Sequence, residues 1–385
     1  MASAAGKRRA DCTLERAFHV LDGSSGHALG RGAYGDVHLV ESYEDRRTYV
    51  AKFMLHDDAA LAEREIAALE AARGSPHVVS LHKVARTLVA PTPDGERYVI
   101  VMERMDGTLV GLLERECAGV GVVGADLSRT TPNGLPWTVA QDIARQVLLG
   151  VHALHERGYA HLDIKPTNVL ASRRSSGAGF DVKVADLGTC ARPGDACANP
   201  RVTTTNYRAP EVAAISQANY DAARRREAPA RERYDGKKAD AWAVGCLLVE
   251  MFLMRPTPAS TLFPRRDVAA SCPCAVRDAR GVARCARDEC VERAVREAAV
   301  EVMAEEPTSI LSPAKHAEER ALRLCAHVDA QHKALWPKGQ APGAVSGVVS
   351  ARHPFMQLAM GLLHVRPDAR LSVEMALAHG FFQLK

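Results

Sequence analysis

Two segments of the chain, HLDIKPTNVL (residues 161–170) and VADLG (residues 184–188), carry the pattern on which the fold assignment depends. Together they supply an ammonium group, an amide and two carboxylates, at Lys165, Asn168, Asp163 and Asp186. Transfer of a phosphoryl group needs a carboxylate beside the attacking hydroxyl, a cation for the developing charge, and oxygen ligands for Mg²⁺. The spacing of these residues therefore predicts a site for phosphoryl transfer.

A second pattern lies near the amino terminus, in HALGRGAYGDVHLV (residues 27–40). Gly30, Gly32 and Gly35 form a G-x-G-x-x-G motif, which alone is compatible with a dinucleotide-binding unit. Such a unit continues from the glycines into a helix, whereas here a second β-prone run follows at residues 37–40. We therefore predict a glycine-rich hairpin whose backbone can approach phosphate groups closely.

The next two elements add a charged pair to this hairpin. RTYVAKFML (residues 47–55) is predicted to form a third strand, on which Lys52 can reach phosphate oxygens. Glu65 follows in a segment with helical periodicity, and a further buried strand is predicted at RYVIVME (residues 97–103). We predict an ion pair between Lys52 and Glu65.

Helical signals dominate the rest of the chain. Thr138 and Gln141 have the spacing of a capping box. The predicted helix that follows has one apolar face, formed by Ile143, Val147, Leu148, Val151 and Leu154. Two short strands, NVLAS and FDVKVAD, come next, and after Asp240 the chain is largely helical. A small β-rich part joined to a larger helical part predicts an α+β fold.

Composition predicts a globular protein without a membrane span. Of the 385 residues, 47% are hydrophobic and 25% are charged. The longest apolar stretch, residues 243–254, contains Glu250 and is shorter than the roughly 20 residues that a spanning helix needs. The basic start MASAAGKRRAD has no apolar run behind it, so no secretion signal is predicted. We expect a cytoplasmic or nuclear location.

The net charge of +4 has a local origin. Residues 222–238 contain seven Lys or Arg against three Asp or Glu, so the remainder of the chain is formally neutral. We therefore expect no nucleic-acid partner. The basic stretch is predicted to be either a solvated loop or a docking surface.

The ten cysteines do not form a recognisable metal or disulfide pattern. The densest group, at Cys272, Cys274, Cys285 and Cys290, has CxC and CxxxxC spacings rather than the paired CxxC of structural zinc sites. We predict reduced thiols.

Taken in order, these motifs resemble those of the eukaryotic protein-kinase family, over about residues 28–382. YRAPE (residues 207–211) and DAWAVG (residues 240–245) extend the resemblance. It implies a bilobal fold with a small β-rich amino-terminal lobe and a larger, mainly helical carboxy-terminal lobe. The implied divisions are an amino-terminal extension (1–21), the first lobe (22–104), and the second lobe (105–385) with insertions near 212–238 and 255–350.

The resemblance also implies roles for individual residues, with ATP and Mg²⁺ as cofactors. Lys52 would bind the α- and β-phosphates, steadied by Glu65. Catalysis would depend on Asp163 at the substrate hydroxyl and Lys165 at the γ-phosphate, with Asn168 beside them. The implied metal ligands are Asn168 and Asp186. The implied nucleotide-binding set, with Met102 as gatekeeper and residues 103–105 as hinge, is Leu29, Gly30, Gly32, Gly35, Val37, Ala51, Lys52, Glu65, Met102, Glu103, Met105 and Leu170.

Three features refine the family resemblance. YRAPE and the long region after it are most similar to the group of cyclin-dependent and mitogen-activated kinases, whereas HxDIKP followed by DLG is similar to the Wee-type kinases. Lys165 and Thr204 match the pattern for serine and threonine substrates on proteins. Leu162 stands where the family usually has an arginine, so we predict activity without phosphorylation of the activation segment.

Two other classes stay open from the sequence. One is a pseudokinase that binds partners without catalysis, although the five key polar residues are all present. The other is a small-molecule kinase of the aminoglycoside or choline type, which would not explain APE or DAWAVG. The segment AEREIAA around Glu65 lacks the longer cyclin-binding signature, so any regulatory partner stays unidentified. The family further implies an ion pair between Glu211 and Arg370.

Overall fold

The computed structural model describes most of both predicted lobes. The described residues are 12–21, 29–32, 35–54, 59–92, 95–117, 131, 135–175, 177, 179–192, 203–204, 207–228, 233–253, 276–277, 283–284 and 354–383. The insertion predicted at 255–350 therefore lies almost wholly outside them, apart from a short antiparallel pair of strands. The cysteines predicted to be reduced thiols at 272, 274, 285 and 290 also lie outside the described residues.

The amino-terminal lobe is built on a twisted, mostly antiparallel sheet. Its strands, in chain order, are β1 (Cys12–Thr13), β2 (Phe18–Val20), β3 (Gly30–Gly32), β4 (Gly35–Ser42), β5 (Thr48–Met54), β6 (Leu81–Thr92) and β7 (Gly95–Glu103). Across the sheet the order is β1-β6-β7-β5-β4-β2, and β3 pairs with β4. The glycine-rich hairpin and the strands predicted at residues 47–55 and 97–103 are confirmed.

Residues near the amino terminus cover the outer face of this sheet. β1 pairs with β6 in parallel, and β2 pairs with β4 antiparallel, on either side of the short helix α1 (Leu14–Ala17). Leu14 and Phe18 are buried in one cluster with Ala51, Val99 and Val101. Part of the predicted extension 1–21 therefore belongs to the sheet and contributes to its core.

The inner face of the sheet packs against helix α2 (Ala59–Ala71). Ile66 and Leu69 of the helix are buried with Met54 and Ile100 of the sheet. Residues alternate between the two faces of a strand, so Lys52 on β5 shares the inner face with Met54. This packing brings Glu65, which is fully buried, opposite Lys52.

The carboxy-terminal lobe is mainly helical. Its elements are β8 (Gly107–Thr108), α3 (Leu109–Cys117), α4 (Trp137–Glu156), β9 (Val169–Arg173), β10 (Phe180–Val184), α5 (Pro210–Arg225), α6 (Gly236–Leu253), α7 (Pro354–Leu362) and α8 (Val373–Leu377). A small sheet with the order β10-β9-β8 lies beside the hinge. With the first lobe it completes the predicted bilobal α+β fold, which is confirmed.

Helix α4 confirms one prediction and corrects another. Its apolar face is buried as predicted. The capping box at Thr138 and Gln141 is wrong, because the helix begins at Trp137 after Pro136, and no side chain caps it. Gln141 instead donates to the Phe381 carbonyl oxygen at 2.6 Å. The Gln141 amide therefore makes a tertiary contact instead of the predicted contact at the start of the helix.

Helix α6 is apolar on all sides because it passes through the centre of the lobe. Trp242, Val244 and Leu247 on different sides of it are all buried. Gly245 lets helix α7 approach, since a Cβ there would lie 2.9 Å from a Leu363 side-chain carbon. Among the residues that the structure describes, no helix is long and apolar enough to cross a membrane.

A short segment after α2 joins the two lobes. The Val184 backbone N–H donates to the His77 carbonyl, and the Val79 N–H donates to the Val184 carbonyl, both at 2.9 Å. Gly150 of α4 lies beneath this junction, where a Cβ would be 2.3 Å from the His77 oxygen. The junction holds the end of β10, and hence the DLG segment that follows it, next to helix α2.

A buried ion pair ties the start of α5 to the end of the chain, as predicted. Both terminal nitrogens of Arg370 donate to the two carboxylate oxygens of Glu211 at 2.8 Å. Arg370 is 1% exposed, also donates to the Lys238 carbonyl at 2.7 Å, and lies over the Trp242 ring. This geometry is bidentate and leaves no side of the guanidinium unoccupied.

We expect Arg370→Ala to lower the free energy of unfolding by about 3–5 kcal/mol, because it leaves the Glu211 carboxylate buried without a counter-charge. Denaturant unfolding followed by circular dichroism measures the change. Arg366→Ala is the matched control, since it removes an exposed arginine whose ion pair with Asp368 lies at the surface, and it should unfold close to the wild type. Equal unfolding curves for the two variants would contradict the prediction.

Candidate active site

Three charged side chains meet where the sheet, helix α2 and the DLG segment converge. The Lys52 ammonium lies 2.8 Å from both carboxylate oxygens of Glu65 and 2.7 Å from Asp186 Oδ1. Burial alone would lower the pKa of Lys52, but the two carboxylates outweigh it and raise that pKa above its ordinary value. Burial would raise the pKa of Asp186, and Lys52 overcomes this effect and lowers it. The predicted Lys52–Glu65 ion pair is confirmed, with Asp186 as a second partner.

Asp163 is held in place by the segment before α5 as well as by its own loop. The Thr204 hydroxyl donates to Asp163 Oδ1 at 2.5 Å, and the Thr204 backbone N–H donates to the same oxygen at 3.0 Å. The Lys165 ammonium donates to Asp163 Oδ2 at 2.6 Å and to the Thr204 hydroxyl at 3.2 Å. The structure thus brings Asp163, Lys165 and Thr204 together.

A backbone hydrogen bond brings Asn168 and Asp186 close together. The Asn168 side-chain N–H donates to the Asp163 carbonyl at 2.9 Å, which leaves its Oδ1 as the atom able to bind a cation. The Ala185 N–H donates to the Asn168 carbonyl at 2.9 Å. Asp186 directly follows Ala185, so this bond holds the two candidate metal ligands near each other. Asp186 has a left-handed backbone with φ 59°.

The buried carboxylate of Asp240, on helix α6, anchors the loop that carries Asp163. It accepts the backbone N–H groups of His161 at 2.7 Å and Leu162 at 2.8 Å. It also lies 2.9 Å from the Nε2 of His155 on α4. Leu162 has φ 67°, an uncommon conformation for a leucine, and these contacts hold it there.

His161 connects this loop to the DLG segment. Its Nε2 lies 2.9 Å from the Ala185 carbonyl, and its Nδ1 accepts the Asp163 N–H at 3.2 Å. These partners assign the proton to Nε2. The Thr189 hydroxyl donates to the His161 carbonyl at 2.8 Å. The position of Asp163 is therefore coupled to that of Asp186 through one buried ring.

The glycine-rich hairpin lies next to the strand that carries Lys52. Gly30 pairs with Val37 across the hairpin, and Val37 pairs with Lys52 on β5. Gly35 must be a glycine, because a Cβ there would lie 2.2 Å from the Phe53 carbonyl oxygen. Leu29, at the start of the hairpin, is 58% exposed.

The structure corrects one member of the predicted nucleotide-binding set. Ala51 lies on the outer face of β5, buried with Leu14 and Phe18, and so points away from Lys52. The alternation of a strand places Val50, not Ala51, on the face of Lys52. Val50 also pairs with Met102 of β7, which is buried beside α2.

The predicted hinge connects the lobes through a side chain as well as the backbone. Glu103 Oε1 accepts the Ser80 N–H at 2.6 Å and the Lys183 ammonium at 2.7 Å. The Glu103 side chain is therefore engaged by residues of the protein itself. Met105 contacts Ser172 through its sulfur, and Leu170 packs on the apolar cluster of the first lobe.

Arg208 completes the segment that holds Thr204. Its Nε donates to the Thr203 hydroxyl at 2.9 Å and its Nη2 to the Thr203 carbonyl at 2.8 Å. Arg208 is 5% exposed, and the Leu162 side chain is also buried. The backbone next to Thr204 is thus fixed by the contact between Arg208 and Thr203. Thr205 lies outside the described residues.

Sequence reasoning missed three positions that matter to the site. Asp240 was recognised only as part of DAWAVG, and His161 only as the first letter of HxD. For the strand of Lys52, the sequence analysis predicted Ala51 instead of Val50. A strict count of strand alternation from Lys52 would have found Val50, whereas nothing in the local sequence shows that Asp240 contacts His161.

Comparison with known proteins places this geometry in a family. Residues 24–382 match the protein kinase domain. The chain belongs to the protein kinase family. The motif order and the contacts among Lys52, Glu65, Asp163 and Asp186 agree with this membership, and the predicted resemblance is confirmed.

Several curated kinases are similar to the chain over part of their length. Human "Cyclin-dependent kinase-like 2" is 31% identical over 244 residues, covering 61% of this chain and 39% of that protein. The Caenorhabditis elegans "Cyclin-dependent kinase 4 homolog" is 27% identical over 237 residues, covering 60% of this chain and 49% of that protein. "CBL-interacting protein kinase 20" of Oryza sativa subsp. japonica is 28% identical over 235 residues, covering 58% and 42%. The chain thus spans less than half the length of these three relatives.

We expect Asp240→Asn to lower the free energy of unfolding by about 3 kcal/mol, because an amide cannot accept all the N–H donors that converge on the carboxylate. Denaturant unfolding measures the loss. Asp235→Asn is the control, because Asp235 accepts only the exposed Lys237 and Lys238 N–H groups, which asparagine accepts equally well. A wild-type unfolding curve for Asp240→Asn would contradict the role of this anchor.

Proposed function

We propose that this kinase transfers the γ-phosphate of ATP, with Mg²⁺, to serine or threonine hydroxyls of protein substrates. The observation that supports the proposal most directly is the environment of Asp163. Its carboxylate is held by Thr204 and Lys165, which come from two different segments of the chain. A carboxylate in that position can accept or orient the proton of an incoming hydroxyl.

The donor atoms near Asp163 are suited to Mg²⁺. Asp186 offers a carboxylate and Asn168 an amide oxygen, and hard oxygen donors of this kind are what Mg²⁺ prefers. When bound, the metal would neutralise charge on the phosphates. Lys52, steadied by Glu65, would hold the α- and β-phosphates, while Lys165 would stabilise charge on the transferred group.

The contacts around Thr204 support a protein hydroxyl as the acceptor rather than a small molecule. Thr204 belongs to a segment that runs directly into α5, whose first turn is anchored by the Glu211–Arg370 pair. Backbone held beside Asp163 in this way can support a polypeptide acceptor, which a sugar or choline does not require. A phosphotransfer assay distinguishes this proposal from the pseudokinase hypothesis.

We expect Lys52→Met and Asp163→Asn each to lower phosphate transfer by more than about a hundredfold while leaving the protein folded. The assay is radiolabelled ATP with generic protein substrates, and aminoglycosides and choline are tested in parallel. Lys83→Met and Asp181→Asn are matched controls at exposed ion pairs and should keep wild-type activity.

Three outcomes would overturn the proposal. Wild-type protein without transfer to any acceptor would indicate a pseudokinase. Transfer only to aminoglycosides or choline would indicate a small-molecule kinase. Activity in Asp163→Asn close to that of wild type would remove Asp163 from catalysis.

We expect the enzyme to be active without phosphorylation of the segment between Asp186 and Glu211. Leu162 brings no charge that a phosphate could neutralise, and Arg208 is already engaged by Thr203. Protein expressed in bacteria and treated with phosphatase should keep its activity in the same assay. A large loss that returned on rephosphorylation would contradict this prediction.

A further inference from the structure

Helix α5 has a buried base and an exposed end. Glu211, Val212 and Ile215 in its first turns are buried, and Glu211 is held by Arg370. From Ala223 onward the helix is exposed. The helix is therefore an arm whose base is fixed in the lobe and whose carboxy-terminal end projects into solvent.

The end of this helix and the connection from it to α6 carry four exposed arginines of the basic stretch 222–238. We call Arg224, Arg225, Arg226 and Arg233 the basic tip; all four are exposed. Within the part of the chain that the structure describes, the side chains of Arg225, Arg226 and Arg233 form no hydrogen bond or ion pair. Arg231, in the same basic stretch, lies outside the described residues.

Helix stability explains only part of this charge. Arginines in the last turn of a helix interact favourably with its dipole, and Arg224 and Arg225 lie there. Arg226 lies beyond the helix in a left-handed conformation with φ 59°, where glycine or asparagine would be more stable. Arg233 is in the connection to α6. Two of the four arginines thus need another explanation.

The position of the basic tip relates it to the substrate site. Helix α5 begins at Pro210, directly after the segment that holds Thr204 on Asp163. At 1.5 Å per residue, Arg225 lies about 22 Å along the helix from Pro210. An extended polypeptide covers this distance with about seven residues. A substrate chain that runs along the helix from its start at Pro210 therefore needs about seven extended residues to reach the tip.

The charge distribution favours an acidic protein segment over nucleic acid. Residues outside 222–238 are formally neutral in sum, whereas nucleic-acid binding needs a broad basic surface. We infer that the basic tip binds an acidic segment of the protein substrate, about seven or more residues from the hydroxyl that receives the phosphate. This inference rests on the proposed function and adds a class of substrate to it.

The test compares synthetic serine peptides with the full-length chain. One pair carries a block of about six glutamates eight or more residues before or after the serine, and a second pair carries glutamines instead. We expect one of the glutamate peptides to have a KM about fivefold lower than its glutamine counterpart, with kcat unchanged. Raising the salt to about 0.5 M should abolish the difference, because it screens exposed charges.

Variants assign the effect to the basic tip. Arg225→Gln, Arg226→Gln and Arg233→Gln, combined in one protein, should raise the KM of the glutamate peptide to that of the glutamine peptide. The matched control combines Arg73→Gln, Arg145→Gln and Arg157→Gln, which remove the same charge from exposed positions elsewhere. The control should keep the fivefold preference. Thermal melts of both variants show whether they fold.

Direct binding separates the inference from the proposed function. Fluorescence anisotropy of the labelled glutamate peptide reports on the tip without catalysis. Binding that needs the three arginines, with no transfer to any peptide, would overturn the proposed function and support an acidic ligand at the tip. Equal KM values for glutamate and glutamine peptides would overturn the inference while leaving the proposed function intact. Tighter binding of a single-stranded RNA of equal charge would also overturn it.

Discussion

The active site depends on the hydrogen bonds that the buried carboxylate of Asp240 accepts. It accepts N–H groups from consecutive residues of the loop that carries Asp163, and it contacts His155 on a neighbouring helix. That loop then reaches the DLG segment through His161. Asp240 therefore fixes the loop of Asp163 relative to helix α4, and His161 links that loop to the DLG segment. An unpaired charge at this depth would be costly, so the surrounding donors hold the loop firmly.

The charges in the cleft form two linked groups. Lys52 lies between Glu65 and Asp186, and Lys165 lies beside Asp163. Each cation lies within hydrogen-bonding distance of a carboxylate. In the first group burial opposes both charges, but the carboxylates raise the pKa of Lys52, and Lys52 lowers the pKa of Asp186. Gly188 borders the first group, where a Cβ would lie 3.2 Å from a Glu65 oxygen. A side chain at Gly188 would therefore press against the ion pair of Lys52 and Glu65.

The sequence predicted the elements and side chains that local chemistry dictates. The strand with Lys52, the helix with Glu65, the glycine-rich hairpin and the loop with Asp163 were found where periodicity and motif spacing placed them. The errors have specific physical causes. The capping box failed because Gln141 donates to Phe381, far along the chain. Ala51 was placed on the wrong side of its strand, although alternation from Lys52 was sufficient to select Val50.

Several contacts could not be predicted from local sequence because their partners are distant in the chain. Lys52 and Asp186 are separated by 134 positions, Asp163 and Thr204 by 41, and His161 and Asp240 by 79. The amino-acid sequence by itself determined which residues can bind phosphate, metal and hydroxyl, because those abilities belong to the side chains and to the local backbone. Only the tertiary structure decided that Asp186 shares Lys52 with Glu65, that Asp240 anchors the loop of Asp163, and that α5 ends in a basic tip. These features depend on how buried surfaces pack, and packing joins residues that sequence spacing leaves apart.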